Sequence, residues 1–241
     1  MGRRVFGVAA IALGAASLFL HHQLASEWRL PGVAAFLFVT SIALIAGGGA
    51  MQFRHADRLG AAILGGVYLL YALTLVPDIF ARPGLYASWG NVFYGLALVA
   101  GALVAYGLAA PAAPYAKAMC NAGVLLLGLC NISFAIEQVE FLARTVSLVP
   151  RWVPPNAMFW AIATTIAFAL AGVSLLTRYK SLLAAQLLTL MLLIFVVLIW
   201  IPLLIAHPEV LSNWSEGIET FAIAGAAWII ADFLAHPLTS R

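Results

Sequence analysis

Four carboxylates carry most of the chemical potential of this 241-residue sequence. Glu137 and Glu140 stand three residues apart, as do Glu216 and Glu219. On a helix that spacing puts both members of a pair on one face. Two such faces brought together concentrate negative charge, which must be balanced by a cation, by shared protons, or by Arg144 and Arg151 nearby. The pattern suits a proton, metal or cationic-ligand site. It also suits carboxylates wetted at an interface, where ionisation costs little, and spacing alone leaves both open.

Other reactive side chains are sparse. His21 and His22 are adjacent, so on a helix they point about 100° apart and make a poor pair of ligands for one metal. His207 could join His22 only if distant segments met, and a metal site needs three or four convergent ligands. Cys120 and Cys130 are ten positions apart, roughly 15 Å along a continuous helix, too far for the roughly 7 Å that a disulfide tolerates. Trp28, Trp89, Trp152 and Trp214, with Tyr86, flank apolar runs, where amphipathic rings belong at lipid headgroups; an aromatic cleft for a quinone ring is also compatible. Asn131 and Ser133 suit hydrogen bonds between helices, and Gly47-Gly48-Gly49 and Gly65-Gly66 suit close helix approach. The sequence has no GxGxxG, Walker loop, GxSxG or HExxH. It reads as a binding subunit more than as a self-contained enzyme.

The elements that must position these groups are set by composition. Hydrophobic residues make up 64% of the chain and charged residues 9%, against about 25% charged in soluble domains. Such a chain cannot cover its surface with polar groups, so its surroundings are lipid. A net charge of +3 gives no basis for nucleic-acid binding. Runs long enough to span a bilayer lie at roughly 5–23, 31–53, 59–81, 89–110, 118–140, 155–177, 181–206 and 215–235. The fold class is therefore all-α, a polytopic bundle of about eight transmembrane helices. The first run follows Arg3 and Arg4 like a signal peptide, but Gln23-Leu24-Ala25 is a poor cleavage site, so it is expected to stay as the first helix.

An even span number puts both ends of the chain on one side. That side collects Arg3, Arg4, Arg54, Arg58, Lys117, Arg178, Lys180 and Arg241, whereas the other has Arg29, Arg82, Arg144 and Arg151. Positive charge retained inside then places both termini in the cytoplasm, the membrane being a prokaryotic plasma membrane. The acids favour the outer side, where any ligand chemistry is expected.

The sequence also repeats. Pro77 and Pro202, Pro83 and Pro208, and Trp89 and Trp214 are each 125 positions apart, while Pro31-Gly32 and Pro155-Asn156 are 124 apart. Two parallel four-helix units follow, residues 1–112 and 113–241, related by an axis near the membrane normal. The first is the more divergent, with Asn91 where the second has Glu216.

The second unit resembles the DoxX-like family of small four-helix membrane proteins. The resemblance runs through Val149-Pro150-Arg151-Trp152-Val153-Pro154, Phe159-Trp160, Gly172, Ile201-Pro202, Ala206-His207-Pro208, Asn213-Trp214-Ser215-Glu216 and Ala224-Gly225-Ala226-Ala227. It implies a four-helix fold and, in some members, association with redox enzymes or quinone-linked sulfur oxidation. The function expected is a non-catalytic subunit whose outer face binds a partner protein, such as another membrane or redox protein, or a lipophilic small molecule. The residues expected to line that site are Glu137, Glu140, Arg144, His207, Trp214, Glu216, Glu219, His22 and Trp89. A quinone-linked redox component and a small proton-coupled transporter are the alternatives.

Overall fold

The computed structural model describes residues 1–19 and 32–238. These residues form eight long helices and one short one. They are α1 (Gly2–Phe19), α2 (Val33–Ala50), α3 (Asp57–Ala81), α4 (Tyr86–Ala109), α5 (Ala116–Glu140), the short α6 (Leu142–Leu148), α7 (Ala157–Thr177), α8 (Ser181–Ala206) and α9 (Leu211–Ala235). Every long helix is apolar and long enough to cross a bilayer. Helix is the outcome lipid imposes, because a backbone without water must satisfy its own N–H and C=O groups. The spans begin and end within four residues of the runs expected from composition. Both cysteines of α5 are buried free thiols, not joined in a disulfide.

α6 is the one element the apolar runs do not announce. It follows α5 after a break at Phe141 and buries none of its residues. α8 contains the other irregularity, a π-helical turn over Val196–Trp200 whose following N–H, on Ile201, bonds back to the Val196 carbonyl. Pro202 lies just beyond it, whereas Pro77 sits inside an unbroken α3.

The long helices form a ring. α1 packs on α2, α2 on α3, α3 on α4, α4 on α5, α5 on α7, α7 on α8, α8 on α9, and α9 closes onto α1. α9 also packs across the ring against α4. That central crossing is made of small residues: a Cβ on Gly101 would lie 2.5 Å from the Ala226 Cβ. Small side chains let backbones approach and gain dispersion energy where no hydrophobic force acts between helices in lipid. Gly7 and Gly48 bring α1 onto α2 in the same way, and Gly128 and Gly172 bring α5 onto α7. Ser133 bonds across helices with the Tyr86 hydroxyl at 2.8 Å, as expected. Asn131 does not: its Nδ2 donates to Leu127 within α5, and its Oδ1 is buried with no partner among the described residues.

The two ends of the bundle differ. At one end the Met1 amino group and the Gly2 N–H both donate to Asp232 at the close of α9, so the beginning of α1 and the end of α9 share one side. Arg3 pairs with Asp57 there, and Arg58 donates to the Tyr106 and Tyr115 hydroxyls at 3.0 and 2.6 Å.

At the far end, three loops carry the same clasp. The indole N–H groups of Trp89, Trp160 and Trp214 donate to the carbonyls of Pro83, Pro154 and Pro208, at 3.1, 2.8 and 2.9 Å. A proline six residues upstream offers a carbonyl fixed in a tight turn, and the indole ties the new helix to the loop that feeds it. Replacing Trp214 or Trp89 by phenylalanine removes the donor and keeps a ring. Each change should lower unfolding free energy by about 0.5–1 kcal/mol, read by thermal unfolding in detergent.

Candidate functional site

A cavity of about 850 Å³ opens at the far end and runs down inside the ring. Its walls come from α3, α4, α5, α8 and α9, with α7 and the edges of α1 and α2, and α6 lies over its mouth. Glu219 is eight residues into α9, which places it about 12 Å below the helix start. Tyr68 is thirteen residues before the end of α3, so the cavity reaches about 20 Å down, past the middle of a ~30 Å hydrocarbon core.

Three of the four expected carboxylates meet here. Glu137 from α5 and Glu216 and Glu219 from α9 all line the cavity, together with Arg144 from α6. Arg144 forms an ion pair with Glu216, and that pair stands at the mouth: their side chains are 63% and 33% exposed. Arg144 is the one basic side chain among the described residues that line the cavity. Glu137 lies deeper, against α4, where Gly90 makes room for it. A Cβ on Gly90 would stand 3.0 Å from Glu137 Oε2. That oxygen is buried with no hydrogen-bond partner among the described residues.

A strip of the wall is aromatic and begins beside Glu137. Tyr94 stacks on Phe134 at 5.0 Å between centroids, Phe134 meets Phe168 edge-on at 5.7 Å, and Phe168 meets Phe195 edge-on at 6.3 Å. All four rings line the cavity. Polar groups are spaced around it. Gln138 Oε1 accepts from Thr165 at 2.9 Å and Thr164 at 3.3 Å, and the Tyr71 hydroxyl donates to Thr40 at 2.6 Å. Tyr68, 1% exposed, lines the inner wall with a hydroxyl that has no hydrogen-bond partner among the described residues.

The remaining expected residues lie elsewhere. Glu140 is the last residue of α5. Three positions on from Glu137 it is turned about 60° around the axis, and it lines a separate small cleft with Pro83, Gly84, Tyr86 and Trp89. The i, i+3 pair on α5 is thus split between two surfaces. His207 is exposed and faces Glu209 at 3.4 Å, and Trp214 is engaged in its clasp to Pro208. His22 lies outside the described residues, as do His21 and Trp28. Tyr68, Tyr94 and Gln138 were not expected from the sequence. Gln138 is the chain neighbour of Glu137 and Tyr94 lies three positions after Asn91, the residue that stands where the second unit has Glu216; nothing in the sequence pointed to Tyr68.

Fold and cavity define the class: an all-α, multi-pass integral membrane protein with a polar-and-aromatic cavity opening at one end. Compared with protein-family models, curated proteins and solved structures, the chain matches none.

Proposed function

We propose that this protein binds a lipophilic small molecule in the cavity at the far end of the ring, as a binding subunit. The observation that carries the reading is the cavity: its volume of about 850 Å³ lies within the roughly 300–1,000 Å³ of small-molecule sites. It also has the composition of such sites, a mainly apolar and aromatic lining with a few convergent polar groups. A concave, half-enclosed space favours a small molecule over a partner protein. The rule of retained positive charge supports a cytoplasmic location for both termini, with the cavity opening outward.

Four correspondences support descent of the ring from a duplicated four-helix unit, with a DoxX-like origin as the reading of its motifs. α2 and α7 begin 124 residues apart, at 33 and 157, as do α3 and α8, at 57 and 181. The ends of α3 and α8, at 81 and 206, and the starts of α4 and α9, at 86 and 211, are 125 apart. The step of one residue falls inside α8, the helix that contains the π turn, and a π turn is how a helix absorbs one extra residue. The packing order repeats as well, with α4 on α5 matched by α9 on α1. On this reading Asn91, Tyr94 and Leu98 of α4 correspond to Glu216, Glu219 and Ile223 of α9, and all six line the cavity.

Native mass spectrometry of protein extracted in mild detergent tests the function. A small molecule should remain bound to the unaltered protein. It should be lost from Leu198→Trp, which adds an indole to the cavity wall and leaves every charge in place. Failure of the unaltered protein to retain any molecule beyond detergent and bulk lipid would overturn the reading. A retained quinone, identified by mass, would favour the redox alternative, for which the aromatic wall offers a stacking surface.

A further inference from the structure

We infer that the molecule held in this cavity is a lipophilic organic cation, with its charged centre between Glu137 and Glu219 and its apolar body along Tyr94, Phe134, Phe168 and Phe195. This rests on the reading of the cavity as a small-molecule site and names the ligand's chemical class.

Charge is the first argument. The described residues lining the cavity include three carboxylates and one guanidinium. Arg144 pairs with Glu216 at the mouth, and among the described residues neither Glu137 nor Glu219 forms an ion pair. Carboxylates drawn this far into an apolar wall are costly unless something positive comes to them. Space for it is present, because Glu137 Oε2 is buried and unpaired and the cavity beside it is large.

The aromatic wall decides what kind of cation fits. Calcium or magnesium asks for six or more oxygen ligands and zinc for about four convergent ones, whereas no three His, Cys, Asp or Glu side chains converge as metal ligands among the described residues, and the carboxylates share the cavity with a strip of aromatic rings. Ring faces attract ammonium-type cations through their quadrupole, and they do so most strongly when both are desolvated. Carboxylates and aromatic rings lining one cavity suit an amine or onium centre with attached hydrocarbon. Depth adds a further requirement. A cation must leave water to reach Glu219, about 12 Å down α9, so it needs an apolar body to offset its desolvation. The hydroxyl of Tyr68 at the inner end, without a hydrogen-bond partner among the described residues, offers a polar contact to any polar group the ligand carries there.

Two probes of the same size and shape and opposite charge test this: radiolabelled tetraphenylphosphonium and tetraphenylborate, binding to purified protein in detergent. Tetraphenylphosphonium should bind at least tenfold more tightly than tetraphenylborate. Glu219→Gln and Glu137→Gln, which keep side-chain size, should each weaken the cation at least tenfold and not weaken the anion. Arg144→Gln removes the one lining guanidinium and should strengthen the cation by threefold or more, which keeps the test decisive if a glutamate variant does not fold. Equal binding of both probes, or preference for the borate, overturns the inference and leaves a small-molecule cavity standing. Binding of neither probe overturns the inference too, and the mass-spectrometric result then decides the fate of the broader reading.

Discussion

Gly48→Leu is expected to leave no monodisperse, detergent-stable protein, and Gly48→Ala to lower the melting temperature by about 5–10 °C. The reason is a backbone contact. A Cβ at position 48 would lie 2.4 Å from the Gly7 carbonyl oxygen and 3.0 Å from the Ile11 backbone nitrogen. No side chain can rotate away to relieve this, so α1 must move off α2. The cost then spreads, because α1 carries Phe6, Ala9 and Ala10 into the core with no exposed surface and also closes the ring onto α9. Overpacking of this kind costs about 1–3 kcal/mol or more. Gly49→Ala is the matched control. Nothing lies within 4 Å of its Cβ position, and alanine is favoured over glycine inside a helix by about 1 kcal/mol, so that variant should melt at the same temperature or slightly higher. Gly172→Ala should fall between them: the Ile132 side-chain tip at 2.7 Å can turn away, and the backbone contact, to the Gly128 carbonyl oxygen at 2.9 Å, is less severe than the 2.4 Å one at position 48. Fluorescence-detected size exclusion after a heating series orders all three. Gly48→Ala melting with Gly49→Ala would show that the crossing is looser than the structure has it.

The contrast between these neighbouring glycines shows where sequence reading stops in a membrane protein. The spans were legible because lipid demands long apolar runs, and the loops because Pro31-Gly32, Arg82-Pro83-Gly84 and His207-Pro208 break them. Which face of a span looks inward was not legible. Gly47, Gly48 and Gly49 are the same letter, yet one meets Leu64, one meets a backbone carbonyl and one meets nothing. In soluble proteins polarity marks the outward face; here Leu190 and Val197, both more than half exposed, are as apolar as buried Leu188 and Leu192. Charged residues escape this ambiguity. Glu137, Glu216, Glu219 and Arg144 could be grouped from the sequence because ions in lipid have few places to go. Tyr68 and Tyr94 could not, since a tyrosine is at home at a headgroup, in a core or on a cavity wall. Glu140 was grouped with Glu137 by spacing, but α5 ends at Glu140, and the 60° between the two positions is enough to send them to different clefts.

A single-residue deletion probes both the π turn and the proposed duplication, and it should give opposite results at two positions in α8. Val197 and Leu190 are 57% and 55% exposed, so neither side chain contributes much packing and the comparison isolates register. Removing Leu190 from the regular part of the helix turns one flank against the other by about 100°. Ala185 and Leu188, now 0% and 2% exposed, would then lose their alignment with Leu192 and Trp200, and the helix could not bury both sets. That variant should not yield folded protein. Removing Val197 instead takes the extra residue out of the π turn. The Ile201 N–H, now bonded to Val196 across five residues, would meet the same carbonyl across four, which is an ordinary α-helical bond. Both flanks keep their faces, so this variant should purify as a monodisperse species within a few degrees of the parent. Pro202 is no obstacle, because Pro77 sits in α3 without any π turn. The change should be felt in the cavity: Leu198, Ile199 and Trp200 line it, with Trp200 packed over Gly217 at the inner edge of α9. A folded protein with weakened ligand retention is therefore the expected outcome. Equal loss of folding at both positions would mean that the turn is required by the fold itself, and an inserted residue would no longer account for the step from 124 to 125.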